Sequence, residues 1–133
     1  MSGERDLDIL ISSMEPELRE GRFVFVEVSS VRAMSLPALA TIHESEGVTV
    51  VLRQDDADTR RLRYDVVCGW ITLNVHSALD SVGLTAAFST ALANAGISAN
   101  VLAGYYHDHL LVPIDDVDHA LQVLGDLADT RRA

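Results

Sequence analysis

Residues 71–113, ITLNVHSALDSVGLTAAFSTALANAGISANVLAGYYHDHLLVP, decide the fold through the order of their apolar patterns. Ile71, Leu73 and Val75 alternate with polar residues, which predicts a strand. Apolar residues then recur at helical spacing, and Gly96 follows them where a helix is expected to end. This helical stripe consists of Leu84, Ala87, Phe88, Ala91, Leu92 and Ala95. ISANVLAGYY and HLLVP alternate again, so the predicted order is strand, helix, strand, strand.

The flanking residues extend this order in both directions. VVCGWITLNV carries the first strand back to Val67 and places Gly69 at a bulge or at a close approach to another segment. After the last strand, residues 115–130 predict a helix whose apolar face includes Val117 and Leu124. The order strand, helix, strand, strand, helix is most of a ferredoxin-like unit, in which helices cover one face of an antiparallel sheet.

The first half of the chain carries weaker patterns. RFVFVEVSS and VTVVLR each alternate and predict strands, and residues 7–19 before them predict a short helix or an irregular opening. Between the two strands, residues 35–46 (SLPALATIHESE) are weakly helical and are interrupted by Pro37. Residues 55–62 predict a short helix capped by Asp55.

The two halves match each other when Gly47 is aligned with Gly96, because each glycine precedes an alternating strand. We therefore predict an α+β protein made of two tandem ferredoxin-like (βαββαβ) subdomains, each with an antiparallel sheet covered by helices. The predicted subdomains span residues 1–63 and 64–133.

Charge and composition exclude several classes of partner. The net charge is −10 and all ten basic residues are arginine, so the chain lacks the basic surface that nucleic acids require. No apolar run approaches the ~20 residues that span a bilayer. The first ten residues lack the pattern of a signal peptide, and the single Cys68 cannot form an internal disulfide. We therefore expect a cytoplasmic protein with neither nucleic acid nor membrane as partner.

The stretch at 71–113 resembles the core of the ACT-domain family, in particular small stand-alone bacterial proteins with tandem ACT-like subdomains. RFVFVEV and ESEGVTVVL are similar to the N-terminal half of that group. The resemblance implies a non-catalytic fold, without a cofactor, that binds a small molecule, often an amino acid, beside the first strand-to-helix loop. It also implies a homodimer formed through exposed sheet edges, and a protein partner that responds to whether the ligand is bound.

In this sequence that loop leads into a helix start at residues 81–84, whose unpaired N–H groups can hold a carboxylate. The candidate ligand-binding residues are His76, Ser77, Asp80, Ser81, Val82, Gly83, Leu84, Asn100 and Gly104. Structural roles account equally well for several of them. Asp80 or Ser81 can cap the helix, Gly83 can permit close packing, and Asn100 and His76 can face solvent.

The sequence YYHDHL permits a second interpretation. His107 and His109 share one face of an extended strand and can bind a metal if His76 or Asp108 supplies a third ligand. A reversal of the chain around Asp108 accounts for the same residues without a metal, because Asp tolerates turn geometry. A hairpin is therefore favoured over a small metal-dependent enzyme. A ligand-free protein-interaction module is the third alternative.

Overall fold

The computed structural model describes residues 3–4 and 6–132. The helices are α1 (Leu7–Ser13), α2 (Ser30–Ala33), α3 (Gln54–Thr59), α4 (Leu84–Asn94) and α5 (Val117–Arg132). The strands are β1 (Pro16–Val28), β2 (Ala40–His43), β3 (Val48–Arg53), β4 (Cys68–Leu73), β5 (Asn100–Ala103) and β6 (Asp108–Pro113). A 3-10 turn, Ile114–Asp116, precedes α5. After α1, each half therefore has the order strand, helix, strand, strand, helix, which confirms the predicted tandem of α+β units.

The chain forms two compact units. The described residues up to Glu20 and those from Gly69 onward form one, which we call the terminal unit. Gly21–Cys68 form the other, the central unit. The predicted subdomains 1–63 and 64–133 follow the order of the sequence repeats, and that boundary stays a prediction. The compact units differ from it because α1 packs with the C-terminal half of the chain.

In the terminal unit the strand order is β1-β4-β6-β5, with the first residues of β1 belonging to this unit. β5 and β6 are antiparallel, with Asn100 opposite Leu111 and Ala103 opposite Asp108. The apolar faces predicted for β4, α4, β6 and α5 all contribute to one core, to which α1 adds Leu10 and Ile11 and its C-cap residue adds Met14. Its buried members include Leu10, Ile11, Met14, Ile71, Leu73, Phe88, Leu92, Leu110, Val112 and Leu124.

Several local contacts of the terminal unit follow from the types of residue at those positions. Asp6 caps α1, because its side chain accepts a hydrogen bond from the Ile9 N–H at 3.1 Å. Gly69 lies against α5, so the close approach predicted there is confirmed. α1 is also tied to α5 at the surface, where Arg131 donates to Asp8 at 2.7 Å.

In the central unit the strand order is β2-β3-β1, and both pairings are antiparallel. Val24 lies opposite Leu52 and Val26 opposite Val50. The two predicted apolar faces form the buried core of this unit together with Leu36 and Ala57. Its strand members are Val24, Val26, Val28, Val48, Val50 and Leu52.

The helical interpretation of residues 35–46 is wrong, because β2 occupies part of this segment. Three of the four residues of β2 are exposed, so the strand shows no apolar alternation, and hydrogen bonds to β3 decide its conformation. The alignment of Gly47 with Gly96 fails for the same reason. Gly47 lies in the β2–β3 turn, where its carbonyl accepts from the Glu44 N–H at 2.9 Å, whereas Gly96 follows α4.

Two smaller predictions also need correction. β1 begins at Pro16, so part of the segment expected to be a helix or an irregular opening is strand. The N-cap of α3 is Arg53 and not Asp55, which lies in the first turn of that helix. Within the described residues, no helix is both long enough and apolar enough to cross a membrane.

Candidate functional site

The terminal unit contains a cavity of about 150 Å³ between the segment after β4, the start of α4 and the β5–β6 turn. It is lined by Ser77, Ala78, Leu79, Ser81, Gly83, Leu84, Thr85, Ala103, Gly104 and Asp108. Five of the nine predicted ligand-binding residues are among them: Ser77, Ser81, Gly83, Leu84 and Gly104. The site that they form together stays a prediction.

Gly83 shapes the helix side of this cavity. It is the N-cap of α4 with φ +104°, a left-handed conformation that glycine adopts without strain. A Cβ built on it would lie 2.9 Å from Cδ2 of Leu7. Because the N-cap is glycine, neither Asp80 nor Ser81 occupies the capping position, and that structural interpretation is wrong. The first turn of α4 therefore begins without a capping side chain from its N-cap, and residues of this helix end line the cavity.

The β5–β6 hairpin forms the opposite side. The Gly104 N–H donates to the His107 carbonyl at 2.9 Å, which closes the turn. The predicted hairpin is thus present, but the chain reverses at residues 104–107 and Asp108 is already in β6. Burial raises the pKa of the Asp108 carboxyl above its ordinary value of 3.8, and the neighbouring His107 lowers it by a smaller amount.

Four predicted residues lie outside the cavity lining. Val82 is 84% exposed, and the His76 ring packs beside Tyr106 with a centroid separation of 5.2 Å. Asn100 is exposed and lies at the opposite end of β5 from the turn. Asp80 precedes the lining residues of the helix start without joining them. A ligand-binding role for these four side chains stays a prediction.

The sequence did not identify five of the lining residues as ligand contacts: Ala78, Leu79, Thr85, Ala103 and Asp108. Leu79 and Thr85 are near Gly83 in sequence. A prediction that took the whole loop and the first turn of the helix as the binding segment would have included both. Asp108 carried no such signal, because its position depends on the register that places it opposite Ala103.

The histidines of the hairpin have different surroundings. The indole N–H of Trp70 donates to Nδ1 of His109 at 3.2 Å, and the Thr72 hydroxyl lies 3.0 Å from the same nitrogen. Burial lowers the pKa of His109, and the positive charges of Arg19 and His107 lower it further. Because an indole N–H can only donate, Nδ1 of His109 is the acceptor in its contact with Trp70. Among residues 3–4 and 6–132, no group of three or more His, Cys, Asp or Glu side chains is arranged to hold a metal.

The two halves differ at the start of their first helix. In the central unit the Ser29 side chain caps α2 by accepting from the Arg32 N–H at 3.2 Å. In the terminal unit the N-cap is Gly83, which has no side chain for this purpose. The repeat thus provides an internal comparison in which only the helix of the second half begins at a glycine beside a cavity.

Comparison with known proteins identifies close and distant relatives of this fold. A Vibrio cholerae protein of unknown function, described as a possible transport protein, is 48% identical over 92% of this chain and 95% of its own, with a TM-score of 0.84. An Agrobacterium tumefaciens protein is 18% identical over 86% of this chain and 89% of its own, with a TM-score of 0.66. No curated protein matches the chain.

The fold is also similar to the ligand-free regulatory subunit of aspartate kinase from Thermus thermophilus. That similarity covers 84% of this chain and 95% of the subunit at 8% identity, with a TM-score of 0.63. ACT-domain profiles match residues 2–69 and residues 65–126. With two tandem matches that together span most of its length, the chain belongs to the ACT-domain family, whose members are small-molecule-binding regulatory domains.

Proposed function

We propose that the protein is a non-catalytic sensor that binds a small amino acid at the start of α4. A protein partner then distinguishes the ligand-bound form from the ligand-free form. The observation that carries the proposal is the cavity beside a helix whose N-cap is Gly83. The N–H groups of a first helical turn carry partial positive charge and favour a carboxylate. Ser77, Ser81 and Thr85 add hydroxyl groups that can donate to the same ligand or accept from it.

The size of the cavity supports a small ligand. Its volume of about 150 Å³ lies below the about 300–1,000 Å³ that is typical of sites for drug-sized molecules. Its lining combines the apolar side chains of Ala78, Leu79 and Leu84 with a few polar groups. Such a lining suits a ligand with a short side chain and one charged end.

Exposed apolar side chains near this cavity support the proposed partner surface. Leu79 is 68% exposed and Val82 is 84% exposed, and Tyr105 and Tyr106 follow the lining residue Gly104 with 58% and 57% of their surfaces exposed. Large exposed apolar groups gathered in one region are typical of interaction sites. We propose that these exposed side chains form the surface that contacts a protein partner.

We also propose a homodimer. Of the described strands, β5 has one sheet neighbour in the terminal unit, and β2 has one in the central unit. An edge strand presents unpaired backbone groups that a second copy of the chain can satisfy. Light scattering coupled to size-exclusion chromatography tests this: the proposal requires twice the mass of 14.4 kDa. A monomer at micromolar concentration would contradict it.

The sensor proposal is tested by thermal denaturation of the full chain with each of the twenty amino acids in turn. A ligand at 100 times its Kd stabilises a protein that binds it only when folded by about 2.7 kcal/mol, which produces a measurable rise in Tm. We expect at least one small amino acid to raise the Tm of the wild type and to lose this effect in Gly83→Ala. Gly125→Ala, in the interior of α5 and outside the cavity lining, is the control and should keep the shift. No shift from any amino acid would refute the sensor and favour a ligand-free interaction module.

A further inference from the structure

Asp108 is the acidic side chain of the cavity lining. It is the first residue of β6 and lies opposite Ala103, which also lines the cavity. Within the described part of the chain, its carboxylate accepts no hydrogen bond and forms no ion pair. The charge that acts on it is that of His107, the preceding residue in the hairpin. A half-buried carboxylate without a direct partner is costly in the free protein, and a ligand cation would relieve that cost.

The surrounding sequence offers little to neutralise this carboxylate. Between Tyr64 and Thr130 the chain has no lysine and no arginine, whereas aspartate occurs eight times. The segments that form the cavity all come from this stretch. These segments therefore contain no lysine or arginine that could pair with Asp108, which favours ligands that bring a cationic group of their own.

The cavity consequently has two chemically different ends. At the helix side, the first turn of α4 and the hydroxyls of Ser81 and Thr85 suit an anion. At the hairpin side, Asp108 suits a cation, and an ammonium group can donate up to three hydrogen bonds. Both ends are satisfied by one molecule if it is a small zwitterion.

We propose that Asp108 is the specificity-determining residue of this pocket, and that it pairs with the protonated amino group of the ligand. This inference rests on the proposed function, since it concerns the same cavity. In this role Asp108 favours the binding of amino acids over hydroxy acids of the same shape, which present a carboxylate and a hydroxyl but no cation. It also excludes dicarboxylates, because a second carboxylate would approach Asp108 without compensation.

The test uses isothermal titration calorimetry of the full chain at neutral pH with isosteric pairs of probes. The pairs are L-alanine with L-lactate, L-serine with L-glycerate, and glycine with glycolate. For the wild type, we expect at least one amino acid to bind about tenfold or more tightly than its hydroxy-acid partner. Asp108→Asn should bring the two affinities within about threefold of each other, because the carboxamide has no charge with which to prefer an ammonium group.

Two further variants distinguish a specific role from a structural one. Asp108→Glu retains the charge and should retain the preference for the amino acid, although its longer side chain weakens the binding of both probes. Asp126→Asn removes one negative charge from an exposed position of α5 and should leave both affinities unchanged. A structural role for Asp108 would lower both affinities together and leave their ratio as in the wild type.

The outcomes separate this inference from the function on which it rests. If the wild type binds an amino acid and its hydroxy-acid partner equally, or if Asp108→Asn keeps the wild-type ratio, the specificity role is refuted while the sensor stands. If no amino acid binds the wild type in any pair or in the wider panel of twenty, the sensor fails and the inference fails with it.

Discussion

Gly69 of β4 lies directly beneath Val117, the first residue of α5, so that a methyl group added at Gly69 would overlap Cγ2 of Val117. This contact sets the distance between strand and helix at one end of the terminal unit's core. We expect Gly69→Ala to destabilise the protein by roughly 1–3 kcal/mol, the usual cost of overpacking a core. Urea denaturation followed by circular dichroism measures the change.

The cause can be checked with a double-mutant cycle. If the overlap with Val117 is responsible, Val117→Ala should cost less in the Gly69→Ala background than in the wild type, because it removes the clashing atom. Strict additivity of the two free-energy changes would show that Gly69 is required for some other reason.

Gly83 and Gly125 should respond to alanine in opposite directions. Gly83 has φ +104°, so Gly83→Ala places a side chain in a strained conformation that costs on the order of 1–3 kcal/mol. Gly125 lies within α5 and a Cβ there would meet no neighbouring atom within 4 Å, so Gly125→Ala should stabilise by about 0.5–1 kcal/mol. Chemical denaturation of both variants measures the pair. A Gly83→Ala protein as stable as Gly125→Ala would show that the helix start is not held in the left-handed conformation.

Asp108→Asn should separate stability from binding. Burial raises the pKa of Asp108, so its contribution to stability is fully present below the unfolded-state value of 3.8 and is lost as the pH rises through the folded-state pKa. At neutral pH the wild type therefore carries the cost of a half-buried charge that asparagine lacks. Without ligand, we expect Asp108→Asn to melt no lower than the wild type at pH 7, with any advantage disappearing below about pH 3.8. A variant that melts well below the wild type at pH 7 would show that the carboxylate has a stabilising partner.

His109 should titrate below the ordinary histidine value of 6.5, because burial and the charges of Arg19 and His107 lower its pKa. Its contribution to stability is present above pH 6.5 and is lost as the pH falls through the lowered folded-state pKa. Trp70 is the one tryptophan of the chain, so its indole N–H gives an unambiguous NMR signal. We expect this signal to shift with the same midpoint as the His109 ring protons, because protonation of Nδ1 removes the acceptor at 3.2 Å.

A matched pair of arginine variants tests the cause of this shift. Arg19→Ala removes one of the two positive charges and should raise the His109 midpoint toward 6.5. Arg131→Ala removes an arginine that pairs with Asp8 on the surface and should leave the midpoint unchanged. A wild-type midpoint at or above 6.5 would contradict the arrangement around His109.

The elements with a strong apolar period could be predicted from the sequence. α4, β6 and α5 each bury the face that their spacing indicated, because burial of that face drives their position in the core. β2 could not be predicted, since its residues are mostly exposed and its conformation depends on hydrogen bonds to β3. The mistaken alignment of Gly47 with Gly96 followed from that missing strand.

The candidate site divides in the same way. Gly83 was accessible to sequence reasoning because it stands immediately before a clear helical stripe. Asp108 was not, because the hairpin reverses at residues 104–107, earlier than the apolar alternation suggested. Asn100 was included because β5 as a whole faced the loop in the prediction, whereas the strand brings only its Ala103 end to the cavity.

The packing of α1 against α5 has a consequence for biosynthesis. Leu10 and Leu124 belong to the same core, yet more than one hundred residues separate them in the chain. At translation rates of about 5–20 residues per second, α1 leaves the ribosome seconds before its partner helix exists. The central unit, by contrast, is complete once Cys68 has been made. All residues of the central unit are therefore made between the two parts of the terminal unit, and we expect the apolar face of α1 to lack its partner until α5 has been synthesised.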